Sequence, residues 1–514
     1  MRGRGGIRAG CLPEDWRRAD DSERRLCDSR GAVGYLRQIA PILILLAVVA
    51  FVIRRLPKIE LGHSDAFRRR RVLNWLPLGL TYAFLYMGRY NLKVSKLSFG
   101  DITGADGALM SNSDFATIFG YGTLVYGLSF VFNGPLTDRI GGKAAILIGA
   151  GGSLLSNAAM GVCTWLVLQD PQGALAAKLT LAFSILYALN MYFQSFGAVA
   201  IVKVNAPWFH VRERGVFGAI FGILISLGIY FAFDWGKLIL ETAGLVWVFF
   251  APAILLMVCW AAVMLLVKDT PGLAGHRDFD TADASSGDDG PRLPVTKLFG
   301  LMLRNPVIMT IAAVEFCSGF LRQAIMQWFR EFAKQTDDVL HLAGSFVYDN
   351  WGLLLCCAGI LGGVVAGIIS DRVFQSRRGP VAALLYAAML AGAVVLYFTY
   401  ETALIGWLVI FLSMCVIGVH GMLSGTASMD FGGKKNVGTA VGIIDGFVYL
   451  GTFAMSVTYG YLLPDDKHFP AEAADPANWH WWPGAMIPVA LIGTLLASRL
   501  WNAKPKAAAP QAAS

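Results

Sequence analysis

Twelve apolar stretches follow one another along this chain, at residues 74–99, 112–136, 144–168, 176–203, 214–239, 244–267, 304–330, 346–369, 379–399, 402–428, 437–463 and 480–502. A helix rises 1.5 Å per residue, so about 20 apolar residues cross a hydrocarbon core of about 30 Å. Inside that core every backbone N–H and C=O must be paired within the structure, which leaves long apolar runs one economical solution, the helix. Only 15% of the residues are charged and 56% are hydrophobic, against about 25% charged in an average soluble protein. The chain therefore reads as an all-α membrane protein embedded in a lipid bilayer.

The polar stretch 268–302, rich in Asp, Gly, Ser and Pro, reads as a flexible linker. It divides the spans into six and six, giving halves at 59–267 and 303–503 and a tail at 504–514. Residues 1–58 form an extension with a shorter apolar run, about 32–53, that is a candidate for an additional N-terminal span.

The net charge of +8 does not point to nucleic acid, because the cations gather in one set of loops. Arg68 to Arg71, Arg139, Lys143, Arg212, Arg214, Arg372, Arg377, Arg378, Lys434, Lys435 and Arg499 lie on one side, with far fewer opposite. By the positive-inside rule the linker and the C-terminus are cytoplasmic, and the run FRRRR before the first span is a topology signal. The eight cysteines show no metal-ligand spacing and read as free thiols. No GxxxxGK[ST] loop is present to hold ATP, and no catalytic constellation emerges, so the chain reads as neither a pump nor an enzyme. No cofactor or metal is expected.

A repeat is visible in the spacing. GPLTDR after the second span resembles GIISDR after the eighth, and Asp371 follows Asp138 by 233 positions. Arg322 follows Arg89 by the same 233 positions. ERGVFGAIFG and KKNVGTAVGI, opening the fifth and eleventh spans, form a weaker pair. Two halves with matching landmarks mark a transporter built from repeats. A GxxxDR loop after the second and eighth spans resembles the major facilitator superfamily. Within residues 70–502, RYN, APWFHVRERG, FLRQAIMQW, GIISDRVFQSRRG and GKKNVGTAVGIIDGFVYLG are similar to the organophosphate:phosphate antiporters. That family includes bacterial glycerol-3-phosphate and hexose-phosphate carriers and a membrane sensor of hexose phosphate. The resemblance implies the major facilitator fold, with two six-helix halves related by a pseudo-twofold axis, in a bacterial cytoplasmic membrane.

On a helix Tyr82, Tyr86, Arg89 and Lys93 fall on one stripe, and Glu315, Gly319 and Arg322 on another. Pseudo-symmetry brings Arg89 and Arg322 toward each other near the midplane, where such carriers bind substrate. A guanidinium takes phosphate bidentately and keeps its proton, so two of them can clamp a dianion. The resemblance implies the same role for Arg89 and Arg322, and matches Tyr82, Tyr86 and Tyr126 to pocket tyrosines. Trp328 is either pocket or packing. Lys93 either joins the site or snorkels to the interface. Glu315, Asp445 and His420 are candidates for proton binding or charge balance, and either carboxylate could instead pair with Arg322. Asp138, Arg139, Asp371 and Arg372 read as gating loops that pair across the cytoplasmic face.

The resemblance departs at three positions. Ile225 stands where the family's carriers have a histidine, Phe130 where they have a lysine, and Gly319 where they have a tyrosine. The clamp is kept while its surroundings change. The leading expectation is a monomeric antiporter exchanging an organophosphate for inorganic phosphate. A non-transporting sensor of a phosphorylated sugar and a proton-coupled carrier of another organic anion stay open.

Overall fold

The computed structural model describes residues 62–105, 107–210, 213–281, 294–374 and 378–502. The N-terminal extension with its candidate span, residues 282–293 of the linker and the tail at 504–514 lie outside the described residues. Eleven of the described helices are long and apolar enough to cross a membrane. The first span, Asp65–Gly100, joins them as a twelfth of 36 residues. Arg89, Lys93, Lys96 and the asparagines on it make it more polar than the others.

The following spans are Asn112–Ile140, Gly142–Gln169, Leu179–Asn205, Gly222–Ala243 and Trp247–Leu266 in the first half. Pro306–Gln335, Trp351–Val373, Arg378–Thr399, Ile405–Leu423, Val441–Leu462 and Trp481–Arg499 form the second. The helix starts carry the expected chemistry. Ser64 accepts from the Phe67 N–H, Ser111 and Asp114 form a reciprocal capping box, and Asn305 caps a helix with Pro306 in its first turn. The tenth and eleventh spans are joined by helical backbone, one element from Ile405 to Leu462, where the sequence suggests a loop. That segment contains no proline, and glycine weakens a helix without removing its hydrogen bonds. The six cysteines in the described residues are free thiols.

The two halves meet most extensively where the helix carrying the tenth and eleventh spans crosses the second, and within the second half that helix packs closely on the seventh. Small residues permit the approach. A Cβ on Gly319 would stand 1.8 Å from the Val448 carbonyl oxygen, and one on Gly451 would stand 1.9 Å from that of Phe316. The seventh and eleventh spans thus touch backbone to backbone, the contact that small residues give membrane helices. This is why the expected tyrosine position is glycine, since no side chain fits there. Against the second span, Gly442 and Gly446 face the carbonyls of Phe130 and Gly127 in the same way.

One end of the bundle is sealed by charge. Glu331 on the seventh span accepts from Lys93 at 2.7 Å and from Lys96 at 2.6 Å, both on the first span. Lys96 also reaches Asp466 at 2.8 Å, and Asp466 accepts from the Asn112 N–H. Two cations and two carboxylates balance there, and Glu331 and both lysines are nearly fully buried. Nearby, the fifth span opens into a π-turn at Phe231–Trp235. From this turn Asp234 accepts from the Gly352 and Leu353 N–H groups at the start of the eighth span. A carboxylate at a helix N-terminus satisfies donors that have no intrahelical partner, and here it ties one half to the other.

At the opposite end, pairs among the described residues join helix ends of the first half. Glu213 accepts twice from Arg71 at 2.9 Å, and Lys203 donates to Asp138 at 2.7 Å. The FRRRR run therefore also ties helix ends together, with Arg70 donating to the Leu266 carbonyl.

Gly319→Ala is expected to cost about 1–3 kcal/mol through overpacking and to lower the thermal unfolding midpoint in detergent. Gly363→Ala, with open space around the added methyl, is expected to leave it unchanged. An unaltered midpoint for Gly319→Ala would contradict the backbone contact. Glu331→Gln leaves two buried lysines short of charge and is expected to cost about 3–5 kcal/mol. In the same assay Lys334→Gln, which breaks the half-exposed pair with Asp101, costs at most about 1 kcal/mol.

Candidate functional site

The first span turns Tyr82, Tyr86, Arg89 and Lys93 toward the interior, and all four are buried. Tyr82 and Tyr86 meet edge to face with centroids 5.2 Å apart. Arg89 is 1% exposed, and each of its three guanidinium nitrogens donates a hydrogen bond. Its Nε donates to Gln194 Oε1 at 2.9 Å, Nη1 to the Tyr449 hydroxyl at 2.6 Å and Nη2 to the Tyr126 hydroxyl at 2.6 Å. The guanidinium also lies over the rings of Tyr86 and Tyr126, 4.6 and 4.5 Å from their centroids. Phe130, at the position where a lysine was expected, packs against Tyr126 and stacks on Tyr449. It floors the aromatic cage and adds no charge. Ile225 is half-buried on the fifth span.

Behind Arg89 lies a neutral polar network. Gln194 donates to Asn190 and Ser153, Asn190 donates to the Gly88 carbonyl, and Asn157 joins Asn91 to Asn190. Tyr187 donates to the Arg89 carbonyl at 3.0 Å. These amides and hydroxyls hold the first and fourth spans in register and fix the direction of the guanidinium. They supply no negative charge.

Arg322 lies on the seventh span and is 7% exposed. It makes no hydrogen bond or ion pair with any described residue, and its Nε is buried without a partner. Tyr86, Tyr90 and Tyr449 lie within electrostatic range of both Arg89 and Arg322. Gln323, beside Arg322, donates to the Tyr90 hydroxyl at 2.9 Å, so the first and seventh spans are bonded at this level. Two guanidiniums thus look onto one cluster of phenols, and among the described residues neither has a carboxylate within ion-pairing distance. Burying a charge unpaired is costly, and an anion between them would remove that cost.

The other sequence candidates fall elsewhere. Glu315, weighed as a partner for Arg322, instead faces His420 at 2.8 Å. Lys93 gives its charge to Glu331 and lies over the rings of Phe115 and Trp328. Trp328 itself packs among Phe115, Tyr459 and Trp479. Asp445 lies on the eleventh span, within electrostatic range of Tyr126, and has an interaction of its own. Asp138 is held by Lys203 and Arg139 is exposed. Asp371 and Arg372 lie near the end of the eighth span, Trp351–Val373, and their side chains fall outside the described residues.

Tyr449, Gln194, Tyr90 and Glu331 were not anticipated. Tyr449 could have been found, since it follows the flagged Asp445 by one helical turn. Glu331 could have been found by extending the seventh span past residue 330, because the helix continues to Gln335. Gln194 carried no signal, being one amide among several polar residues of the fourth span.

The Major Facilitator Superfamily profile matches residues 78–456. A glycerol-3-phosphate transporter of Bacillus subtilis is 24% identical over 465 residues, covering 86% of this chain and 95% of that protein. The membrane sensor protein UhpC of Salmonella typhimurium is 26% identical over 415 residues, covering 77% of this chain and 85% of the sensor. Among solved structures, a bacterial homologue of the human lysosomal transporter Spinster, inward-facing and unoccupied, superimposes with a TM-score of 0.59. It covers 85% of this chain and 98% of its own at 12% identity, which is a likeness of fold alone. With the family profile spanning most of the chain and the twelve-span bundle in place, this integral membrane protein belongs to the major facilitator superfamily.

Proposed function

We propose that the chain is a secondary antiporter that exchanges an organophosphate, a glycerol or sugar phosphate, for inorganic phosphate by alternating access. The observation that carries this reading is the pair of buried guanidiniums, Arg89 and Arg322, with no carboxylate on either among the described residues. The relation to a glycerol-3-phosphate transporter supports the substrate class. Two guanidiniums match a phosphate dianion in charge, and each can engage it through a planar fork.

Exchange follows from the same energetics. In the empty carrier the closed state holds uncompensated positive charge away from water, and the bound anion removes that cost. The loaded carrier therefore crosses the closed state more readily than the empty one, a bias that only differential interaction can supply. With the C-terminus cytoplasmic, the end sealed by Glu331 faces outside, in the bacterial cytoplasmic membrane. Opening that end then requires Lys93 and Lys96 to leave Glu331, and Asp234 to leave the eighth span.

A second reading is a sensor that binds the same ligand without net transport, favoured by the 26% identity to UhpC. Both readings use the same clamp and differ in whether the bound ester crosses.

Proteoliposomes loaded with unlabelled phosphate and supplied with labelled phosphate outside separate them. Wild type is expected to exchange, and Arg89→Lys and Arg322→Lys, which keep the charge and lose the fork, are expected to abolish exchange. Binding of labelled phosphate without exchange would favour the sensor, and neither binding nor exchange by folded protein would end both readings. Gln194→Glu is expected to place a carboxylate on Arg89 Nε and to weaken phosphate binding about tenfold or more, equivalent to about 1.4 kcal/mol. Unchanged affinity in calorimetry would contradict the need for an uncompensated Arg89.

A further inference from the structure

Glu315 lies seven residues before Arg322 on the seventh span, about 10 Å along the axis at 1.5 Å per residue, and is 0% exposed. Its Oε2 is 2.8 Å from Nδ1 of His420 on the tenth span. Its Oε1 is buried without a hydrogen-bond partner. His420 keeps 23% of its side chain exposed. The pair thus has one sealed member and one that reaches out of the packing, which gives a proton a way in and out.

Cys317 and Arg322 on the seventh span and Tyr386 on the ninth lie within electrostatic range of Glu315. The Tyr386 hydroxyl donates to the Val314 carbonyl at 2.6 Å, so its proton is already committed. Asp445 on the eleventh span lies toward Tyr126 and has an interaction of its own. Among the described residues, Arg322 is a cation in range of Glu315.

We propose that Glu315 and His420 form a proton-binding site linked to anion occupancy at Arg322, an inference that rests on the phosphate-exchange reading. With the substrate site empty, the pair is a carboxylate and a neutral imidazole, and its single negative charge offsets Arg322. When a dianion binds, it takes over that role, and the negative pair faces a second negative group across a low-dielectric interior. A proton then enters from solvent through His420 and makes the pair net neutral. Two guanidiniums, the dianion and the protonated pair sum to zero charge. By linkage the proton strengthens anion binding as much as the anion strengthens proton binding. No bond other than that to the proton forms or breaks.

The test counts protons per ligand bound. Purified full-length protein in weakly buffered detergent solution, with a pH-sensitive dye, is titrated with glycerol 3-phosphate at pH 7.5. A phosphate monoester is already dianionic there, since its second pKa is about 6. Calorimetry in parallel gives the amount of ester bound. Wild type is expected to take up to one proton from solution per ester bound. Glu315→Gln is expected to take up none per ester bound, whatever its affinity, and His420→Gln provides the same comparison if the first variant does not fold. Binding without proton uptake in wild type, or equal uptake in both variants, overturns the inference and leaves the phosphate reading intact. Failure of wild type to bind either glycerol 3-phosphate or inorganic phosphate overturns the phosphate reading, and the inference falls with it.

Discussion

The guanidinium of Arg89 sits at the middle of the fold and is held entirely by neutral oxygens. Each of its three hydrogen bonds ends on an amide or a phenol, and two aromatic faces cover it. Such partners satisfy the N–H groups and leave the net charge in place. A carboxylate in the position of Gln194 would have made a more ordinary buried pair, at the cost of the site's attraction for an anion. The polar network of Asn91, Asn157, Asn190 and Ser153 can be understood from the same requirement. It stiffens the first half around the cation with groups that cannot neutralise it. A hydrogen-bonded polar network also rigidifies what it contacts, which keeps the fork aimed in one direction.

The second requirement is closeness between the halves, and glycine meets it. Tyr449 reaches Arg89 from the other half because the eleventh span lies against the second at Gly442 and Gly446, and its place is set within its own half by the contact with the seventh at Gly319 and Gly451. Those backbone contacts are set by a fraction of an ångström. A tyrosine at Gly319 would have pushed the helices apart and withdrawn Tyr449. The missing tyrosine on the seventh span and the tyrosine present on the eleventh are thus linked features of one packing arrangement.

Much of the fold was legible, because the signals are strong in one dimension. Apolar runs of span length, the charge asymmetry of the loops and the 233-residue offset all survive without knowledge of contacts. Arg89, Tyr82 and Tyr86 were legible for a related reason, since a cation inside an apolar run is conspicuous and its helical neighbours are given by periodicity, while Tyr126, on the second span, was reached through the family resemblance alone. Gln194 was not legible, because it matters through a partner 105 positions away, and for Tyr449 the helical turn from Asp445 gives the position but not the partner 360 positions away. Lys93 was read by its nearness to Arg89 along the helix. One further turn carries it to Glu331, so its charge serves the seal at the end of the bundle. Glu315 shows the reverse case, since its position on the Arg322 stripe suggested an ion pair and the tenth span supplied His420 in its place.

The two arginines are related by the repeat and yet differ in what surrounds them. Each guanidinium nitrogen of Arg89 donates a hydrogen bond, whereas Arg322 has a buried Nε without a partner. On the exchange reading proposed above, an incoming anion meets no competing hydrogen bond from a described residue at Arg322, while at Arg89 it competes with phenol hydroxyls. Arg322 is then the natural first contact, and engagement of Arg89 the step that follows. Because Tyr449 belongs to the second half and Arg89 to the first, that displacement breaks a bond between the halves as it forms bonds to the substrate. On the proposed exchange reading, binding and relative movement of the halves are in this way expressed in the same hydrogen bonds, which is the physical content of coupling.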